Sequence, residues 1–269
     1  LAIAMTEPGA GSDLAGMRTT AEDKGDHFLL NGSKTYISNG INADVVIVAA
    51  KVAGAEKKHA MVLLIVERGM EGFERGRNLK KMGMPAQDTA ELFFKDVKVP
   101  KANVLGEPGK GFYYLMEGLA EERLISAVGC AANARKAFDI TREYVMQRQL
   151  FGQPLSDQQN TQFRMAEMDT EIELAQVYID HCVAEHNQGR LTSNMGAKAK
   201  MVASEVEWKM LDLGVQLHGA AEQVHQQHLA RHALRVALAG VAAEALLGHV
   251  AVHLLDEAAV EVQHVGAVA

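Results

Sequence analysis

The sequence predicts an α+β protein in which an antiparallel β domain, residues 1–105, precedes an antiparallel four-helix bundle within residues 106–269. Short β-type runs separated by Gly, Asn and Asp fill the first hundred residues. Long stretches with an apolar residue every three or four positions follow them. Pro100 and the glycines from Gly106 onward mark the change of pattern, so we expect the domains to meet there.

Four runs predict the main strands of the β domain: HFLLNGSKTYIS, ADVVIVAAKVA, HAMVLLIVERG and TAELFFKDVKVP. Asn31 and Gly32 interrupt the first run between residues 28–30 and 35–37. Because a type I′ turn needs positive φ at both central positions, an Asn-Gly pair favours a two-residue hairpin. We therefore expect the chain to reverse direction at Asn31 and Gly32.

Helical periodicity defines four segments in the second half: residues 112–128, 134–150, 161–187 and 195–217. Gly152, Gly189 and Gly219 lie where these helices would end. Long amphipathic helices joined by short loops favour an antiparallel bundle.

The tail has a different composition from about residue 220 onward. Seven of the eleven histidines lie at or beyond His218, and no Lys, Phe, Tyr or Trp follows Lys209. An Ala/Val/His-rich helical extension and a reading-frame error near the end both account for this shift. His225 and His228 share a helical spacing, but zinc needs further ligands that spacing does not identify, so we predict no metal site.

Composition excludes several classes of protein. The 269 residues are 48% hydrophobic, which is enough to build a substantial core. The net charge is -7 with both signs mixed along the chain, so neither a nucleic-acid stripe nor a polybasic membrane patch is predicted. Two distant cysteines predict no disulfide framework, and no apolar run is long enough to predict a membrane span. Because the chain begins at Leu1 inside a motif, we expect upstream sequence to be missing.

The loop TEPGAGSD, residues 6–13, is the first segment that suggests chemistry. Its glycines let a ligand approach the backbone closely, and its hydroxyls and exposed amides suit carbonyl or phosphate groups. Without a Walker-type lysine, an ordinary turn remains the alternative on composition alone.

A series of motifs makes the functional interpretation more specific: TEPGAGSDLAGMRTTA, LNGSKTYISNG, DTAELFFKDVKVP, ERLISA, RQLFGQPLSDQQ and QLHG, in this order. The series, spread over residues 1–231, resembles the acyl-CoA dehydrogenase family. The resemblance implies a β-barrel-like middle domain and a C-terminal four-helix bundle that enclose FAD, with a further N-terminal helical domain absent from this chain. It also implies oxidation of an acyl-CoA thioester between its α and β carbons.

In the β domain, the resemblance implies flavin contacts from Met5, Thr6, Tyr36 and Ser38. Tyr36 would pack on the flavin and the Ser38 hydroxyl would bond its N5, where the family more often has threonine. Ser12 would contact both the cofactor and the acyl-CoA. On composition alone, Tyr36 would be a strand aromatic that faces the core.

In the helical half, Arg148, Phe151 and Gln159 match residues that bind the diphosphate and adenine end of FAD from a neighbouring subunit, and Gln216 matches another such contact. A guanidinium suits this task because it offers paired donors to phosphate oxygens. The resemblance therefore implies a homo-oligomer, a dimer of dimers, with FAD sites shared between protomers. After Gly219 the sequence departs from the family pattern, which leaves these contacts open.

The reaction needs a carboxylate base in a dry pocket, because a thioester α proton is weakly acidic. Glu122, in the ERL motif, matches one of the two positions at which the family places this glutamate, and the second position is not recognisable here. Glu117 and Glu121 are its acidic neighbours, and Glu121 would point about 100° away around a helix. Arg123 matches an arginine near the substrate, with a structural ion-pair partner as the alternative.

The expected function is thus FAD-dependent acyl-CoA dehydrogenation with electrons passed to electron-transfer flavoprotein, in a bacterial cytoplasm or the mitochondrial matrix. An acyl-CoA oxidase or a flavin monooxygenase on the same fold is the nearest alternative, since fold alone does not separate them. A catalytically incomplete bundle that serves in assembly is the third.

Overall fold

The computed structural model describes residues 1–57 and 59–220. In the first part of the chain eight strands form one sheet, in the spatial order β6-β7-β3-β2-β4-β5-β8 with β1 beside β4. The strands are β1 (Ala2–Ala4), β2 (Thr20–Asp23), β3 (His27–Ser38), β4 (Val45–Val52), β5 (Met61–Glu67), β6 (Phe73–Asn78), β7 (Thr89–Pro100) and β8 (Val104–Gly109).

The sheet is mixed, not purely antiparallel. β1 and β2 both run parallel to β4, β1 along its first half and β2 at its end. The other pairings are antiparallel. Among the described strands, the edge strands β6 and β8 are not paired with each other, so the sheet is open and only loosely barrel-like.

The predicted hairpin at Asn31 and Gly32 is wrong. β3 continues through both residues, and its pairing with β7 shifts register there, as at a β-bulge. Gly32 has a φ of 149°, and a Cβ at this position would lie 2.4 Å from Thr19 Oγ1. The Asn31 side-chain oxygen accepts a hydrogen bond of 2.9 Å from the backbone nitrogen of Asp96 in β7. The pair therefore serves close strand packing, and the chain reverses earlier, at Gly25, between β2 and β3.

The central strands β4 and β5 bury both faces. Alternate residues such as Val46 and Leu64 enter one apolar core, and the intervening Ile47 and Leu63 enter a second. The second core also contains Leu115 from the first turns of the following helix. This explains why both strands read as continuous apolar runs.

Three long helices form the rest of the described chain: α1 (Gly111–Gln147), α2 (Gln159–His186) and α3 (Ser193–His218). The first two predicted helical segments are a single 37-residue helix, α1, which continues through Gly129 between them, because one glycine in a helix interior costs only about 1 kcal/mol. The described residues therefore hold three long helices where the sequence predicts four. A short hairpin, β9 (Gln149–Leu150) and β10 (Gln153–Pro154), separates α1 from α2.

Side-chain contacts give the direction of each helix in the bundle. Arg135 of α1 meets Asp169 of α2 at 2.6 Å, and Glu121 meets His186, so α1 and α2 are antiparallel. Lys209 of α3 meets Glu171 of α2 at 2.8 Å, and Cys182 near the end of α2 lies beside Met195 at the start of α3, so consecutive helices run antiparallel, as predicted. Shared apolar clusters from all three helices fill the space between them.

The described residues divide into two compact units, 1–117 and 118–220. The domain boundary at residue 105 stays a prediction. Helices predicted to end near Gly189 and Gly219 do end there, at His186 and His218. The atypical tail beyond residue 220, with His225 and His228, lies outside the described residues.

Candidate functional site

The loop of residues 6–13 is a compact turn with its glycines facing open space. The backbones of Glu7 and Ala10 exchange hydrogen bonds of 2.9 and 3.1 Å. A Cβ on Gly9 or Gly11 would meet nothing within 4 Å. The glycines are therefore not required by packing among the described residues, and they leave the backbone open to a ligand.

The loop is joined to β3 next to the predicted flavin residues. The Thr35 amide donates to the Thr6 carbonyl at 2.9 Å, which places Thr6 beside the residue that precedes Tyr36. Ser38 follows two positions later, and the structure thus brings together Thr6, Tyr36 and Ser38. Met5 is half-buried and Ser12 is exposed on the same loop segment.

Tyr36 is held outward by an unusual backbone. Its φ is 60°, and it lies where β3 shifts register against β7, between Lys34 and Ile37. A bulky residue with positive φ is strained by about 1–2 kcal/mol, and such strain is concentrated at functional sites. The ring is 68% exposed, so it does not face the core. An aromatic face and the exposed Ser38 hydroxyl are thereby presented on either side of buried Ile37.

These residues fit a flavin. An isoalloxazine ring is planar and apolar with hydrogen-bonding edges, and it is complementary to an exposed aromatic ring beside hydroxyl donors. Tyr36, Ser38 and Thr6 supply those groups on one part of the β unit. Their roles as cofactor ligands remain predictions.

Beneath the loop lies a buried ion pair that the sequence analysis missed. Lys34 Nζ is 2.9 Å from Glu7 Oε1, and the two side chains are 0% and 5% exposed. Burial raises the pKa of Glu7, but hydrogen bonds from Thr19, the Arg18 amide and Lys34 outweigh it and leave that pKa below its usual value. Burial likewise lowers the pKa of Lys34, against the influence of Glu7. The available signal was a charged residue in an otherwise inward-facing stretch of β3.

Glu122 lies on the bundle unit, in the first half of α1. Burial raises its pKa, and the charge of Arg123 lowers it by less, so the net pKa is above that of a solvated glutamate. Its neighbour Glu121 points elsewhere and lies 3.6 Å from His186 of α2. Glu117 is exposed. Of the three carboxylates, Glu122 has the environment that general-base chemistry requires.

Arg123 points toward α3. Its Nη1 donates to Ser193 Oγ at 3.3 Å, at the start of that helix. Nearby, α3 approaches α1 closely, since a Cβ on Gly196 would lie 2.5 Å from the Ala120 carbonyl oxygen. This contact is structural, but it is a hydrogen bond and not the ion pair named as the alternative, and the role of Arg123 at the substrate stays a prediction.

The four remaining predicted cofactor residues gather at the other end of the bundle. Arg148 and Phe151 are on the β9–β10 hairpin segment, Gln159 begins α2, and Gln216 is in the last turn of α3. The ends of α1 and α3 meet here, where the rings of Tyr144 and His218 stack at 4.0 Å. All four predicted residues are exposed.

The hairpin presents its groups to solvent. Phe151 and Gly152 have φ of 53° and 83°, the combination that a two-residue type I′ turn requires. The Phe151 side chain is 90% exposed. Among the described residues no side chain bonds the guanidinium of Arg148, and α2 starts without a side-chain cap. An anion would find here a free guanidinium and the positive end of a helix.

The two predicted parts of the bundle unit are far apart. From Glu122 to the last residue of α1, Gln147, the helix is unbroken, and at about 1.5 Å per residue this stretch is about 38 Å long. Glu122 and Arg148 therefore lie at opposite ends of the unit.

Other kinds of site receive no support within residues 1–57 and 59–220. This part of the chain contains no group of three His, Cys, Asp or Glu side chains placed to hold a metal ion. None of its helices is long and apolar enough to cross a membrane. Both cysteines are free, and burial and Glu207 raise the pKa of Cys130 to about 12, which keeps this thiol neutral.

Comparison with known proteins identifies the family. Residues 2–97 match the model of the acyl-CoA dehydrogenase middle domain, and residues 109–255 match that of the acyl-CoA dehydrogenase C-terminal domain. The chain belongs to the acyl-CoA dehydrogenase family. The fold class predicted from the sequence is thereby confirmed, as is the family resemblance. Members of the family are flavoproteins.

Two curated family members and one solved structure illustrate the similarity. The chain is 46% identical over 233 residues to the mitochondrial long-chain specific acyl-CoA dehydrogenase of Sus scrofa, covering 86% of this chain and 54% of that protein. It is 39% identical to the mitochondrial isovaleryl-CoA dehydrogenase of Pongo abelii, covering 81% and 52%. An acyl-CoA dehydrogenase structure from Geobacillus kaustophilus superposes with a TM-score of 0.84 and 44% identity, covering 95% and 68%. The chain thus spans about half the length of these curated relatives.

Proposed function

We propose that this chain is part of an FAD-dependent acyl-CoA dehydrogenase that oxidises fatty or branched acyl-CoA thioesters between the α and β carbons. The observation that carries the proposal is Glu122, a half-buried carboxylate with a raised pKa on α1 of an acyl-CoA dehydrogenase family member. A carboxylate whose pKa is raised toward that of the substrate is a more effective base.

The predicted residues divide the work of this proposal between proton removal, cofactor binding and substrate binding. Glu122 removes the α proton of the thioester. Met5, Thr6, Tyr36 and Ser38 bind and orient the flavin, and Ser12 contacts both the cofactor and the acyl-CoA. Arg123 lies near the substrate. FAD, when bound, supplies the acceptor for the hydride that leaves the β carbon.

The adenine end of FAD is held by residues from a second protomer. Arg148 and Phe151 lie about 38 Å from Glu122 along one chain, and their side chains point outward. This arrangement is expected if Arg148, Phe151, Gln159 and Gln216 complete the site of a neighbour. We therefore propose a homo-oligomer, arranged as a dimer of dimers, as the functional form.

Electrons would leave through electron-transfer flavoprotein. A structure described as the electron transferring flavoprotein of Acidaminococcus fermentans is among the similar folds, at 35% identity and a TM-score of 0.82. For the cofactor, a related structure is described as an FAD complex of PigA. The named relatives include mitochondrial and bacterial proteins, and we propose a mitochondrial matrix or bacterial cytoplasmic location.

An acyl oxidase is the second candidate, because a similar structure is described as the prolyl acyl carrier protein oxidase AnaB, with 27% identity and a TM-score of 0.82. The two functions differ in the electron acceptor. Consumption of oxygen in step with substrate would favour the oxidase, whereas turnover only with an artificial or protein acceptor favours the dehydrogenase.

The test of the proposal is bleaching of the FAD-loaded chain by acyl-CoA. Glu122→Gln should slow bleaching by roughly a hundredfold to ten-thousandfold, because general-base catalysis contributes about that much. Glu121→Gln and Glu117→Gln are matched controls on the same helix and should change the rate little. Bleaching that is equally fast in Glu122→Gln would refute the base assignment, and no bleaching of any FAD-loaded form would favour the assembly role.

The pH profile gives a second check. Glu122 must be deprotonated to accept a proton, so the bleaching rate should fall as the pH is lowered through its raised pKa. The fall should therefore occur at higher pH than for an ordinary solvated glutamate. A rate that does not change across this range would contradict the role of Glu122.

A further inference from the structure

We infer that Glu7 and Lys34 are positioning residues, which together hold Thr6 and Tyr36 in the relative arrangement that a flavin ring requires. The inference rests on the proposed function, since it assumes that these two residues face the cofactor. Neither Glu7 nor Lys34 would touch the flavin.

The Lys34 side chain binds the residues on both sides of Thr6. Its Nζ donates to the Met5 carbonyl and to the Glu7 carboxylate, each at 2.9 Å. Thr6 itself accepts from the Thr35 amide at 2.9 Å. Three successive residues of the loop are thus tied to two successive residues of β3.

Tyr36 is the next residue of β3. Because its φ of 60° is intrinsically unfavourable, its conformation depends on the contacts around it. The hydrogen bond of the Thr35 amide fixes the backbone immediately before this residue, and one position earlier the Lys34 side chain is anchored at its Nζ. The same group of contacts therefore sets the position of Thr6 and the exit direction of the Tyr36 side chain.

Glu7 closes the loop at its other end. Its carboxylate accepts from the backbone amides of Arg18 and Thr19, at 2.6 and 3.0 Å. The chain from residue 7 to residue 18, which includes Ser12, consequently begins and ends at one buried carboxylate. These hydrogen bonds of Glu7 and Lys34 all act on the geometry of the chain between residues 5 and 19.

The burial of the pair supports a role in specificity. Two charges with side chains 0% and 5% exposed are costly to desolvate, and apolar residues of similar volume often serve stability as well or better. By contrast, the Lys101–Asp23 pair of the same unit is exposed and makes no comparable set of bonds to the loop. The best-attested role of a buried ionic group is to select one structural arrangement among several.

The experiment compares the 269-residue chain with Lys34→Met and with the double variant Glu7→Gln/Lys34→Met. The single variant leaves the Glu7 charge buried without a partner, whereas the double variant removes both charges. We therefore expect the double variant to fold even if the single variant does not. FAD affinity is measured by titration, together with the absorption spectrum of the bound flavin. Hydrogen exchange of the Thr35 amide, recorded without FAD, reports independently on the hydrogen bond between Thr35 and Thr6.

We expect FAD to bind about tenfold more weakly to the double variant, since a disturbed hydrogen-bonding site loses roughly one interaction. The spectrum of the remaining bound flavin should shift, and the Thr35 amide should exchange about tenfold faster. Asp23→Asn, which breaks the exposed pair, should leave all three readouts unchanged.

Unchanged FAD affinity and spectrum in the double variant overturn this inference, whether or not Thr35 exchanges faster. If the parent chain itself does not bind FAD, the proposed function fails and the inference fails with it. The two failures are therefore distinguishable from the behaviour of the parent.

Discussion

The two regions predicted to bind FAD differ in how their side chains are held. In the β unit, the segment that carries Thr6 is bonded to its own chain on both sides of that residue, through the buried Glu7 and Lys34. At the end of the bundle, Arg148 and Phe151 are exposed, and no described side chain bonds the Arg148 guanidinium. In the first region the side chains are held by contacts within the same chain. In the second region they are exposed and available to a ligand or to another chain.

This difference is what a site shared between protomers would require. The ring-binding part must be rigid in each chain, because small displacements of orienting groups reduce catalysis. The part that reaches a neighbour must instead keep its donors free until assembly. The contrast can be tested by comparing stability with cofactor affinity.

The largest expected effect is on stability at the buried pair. Lys34→Met should lower the free energy of unfolding by about 3–5 kcal/mol, because it leaves Glu7 buried without its cation. Denaturant unfolding measures this difference. Asp23→Asn, at an exposed pair, should cost less than about 1 kcal/mol. An equal loss of unfolding free energy in the two variants would mean that the Glu7–Lys34 pair does not stabilise the loop.

Arg148→Ala should have the opposite profile. Its unfolding free energy should stay within about 0.5 kcal/mol of the parent, because no partner is lost. FAD affinity should fall roughly tenfold to a hundredfold, as expected for one charge-assisted contact to a phosphate. Isothermal titration measures the change. Arg190→Ala removes an exposed arginine that Glu185 already holds at 2.6 Å, and it should bind FAD like the parent.

The smallest effect is expected at the hairpin. Phe151→Asn creates an Asn-Gly turn that tolerates positive φ, so the unfolding free energy should rise by up to about 1 kcal/mol. The same change removes the exposed ring and should weaken FAD binding. A variant that is less stable, or one that binds FAD as tightly as the parent, would contradict this interpretation of Phe151. Thermal unfolding and FAD titration distinguish these outcomes.

Two Gly-containing pairs show where local sequence rules stop. Asn31 and Gly32 have the preferred composition for a hairpin, yet they lie inside β3, because close packing against Thr19 and the bond to Asp96 favour a bulge. Phe151 and Gly152 have a poor composition for the same turn, yet they form it. The flanking elements impose the turn on this second pair.

The helices show a similar limit. Apolar periodicity correctly located the helical half, and the glycines at 189 and 219 correctly marked helix ends. The first two segments merged into α1 because periodicity records which faces are buried, and not whether one helix continues into the next. The parallel pairings of β4 could not be predicted from the sequence either, because they join residues that no short turn connects.

The sequence by itself determined the family, the α+β class and the order of its motifs, because each of these depends on residue types and short spacings. Only the tertiary structure showed that Glu7 and Lys34 meet beneath the loop, that Tyr36 leaves β3 with a positive φ, and that Glu122 and Arg148 lie at opposite ends of one helix unit. The physical reason is that burial and long-range pairing arise when distant segments pack together. The TEPGAGSD loop resembles a flavin-binding loop in sequence, and its geometry depends on a lysine that is 27 residues away in the chain.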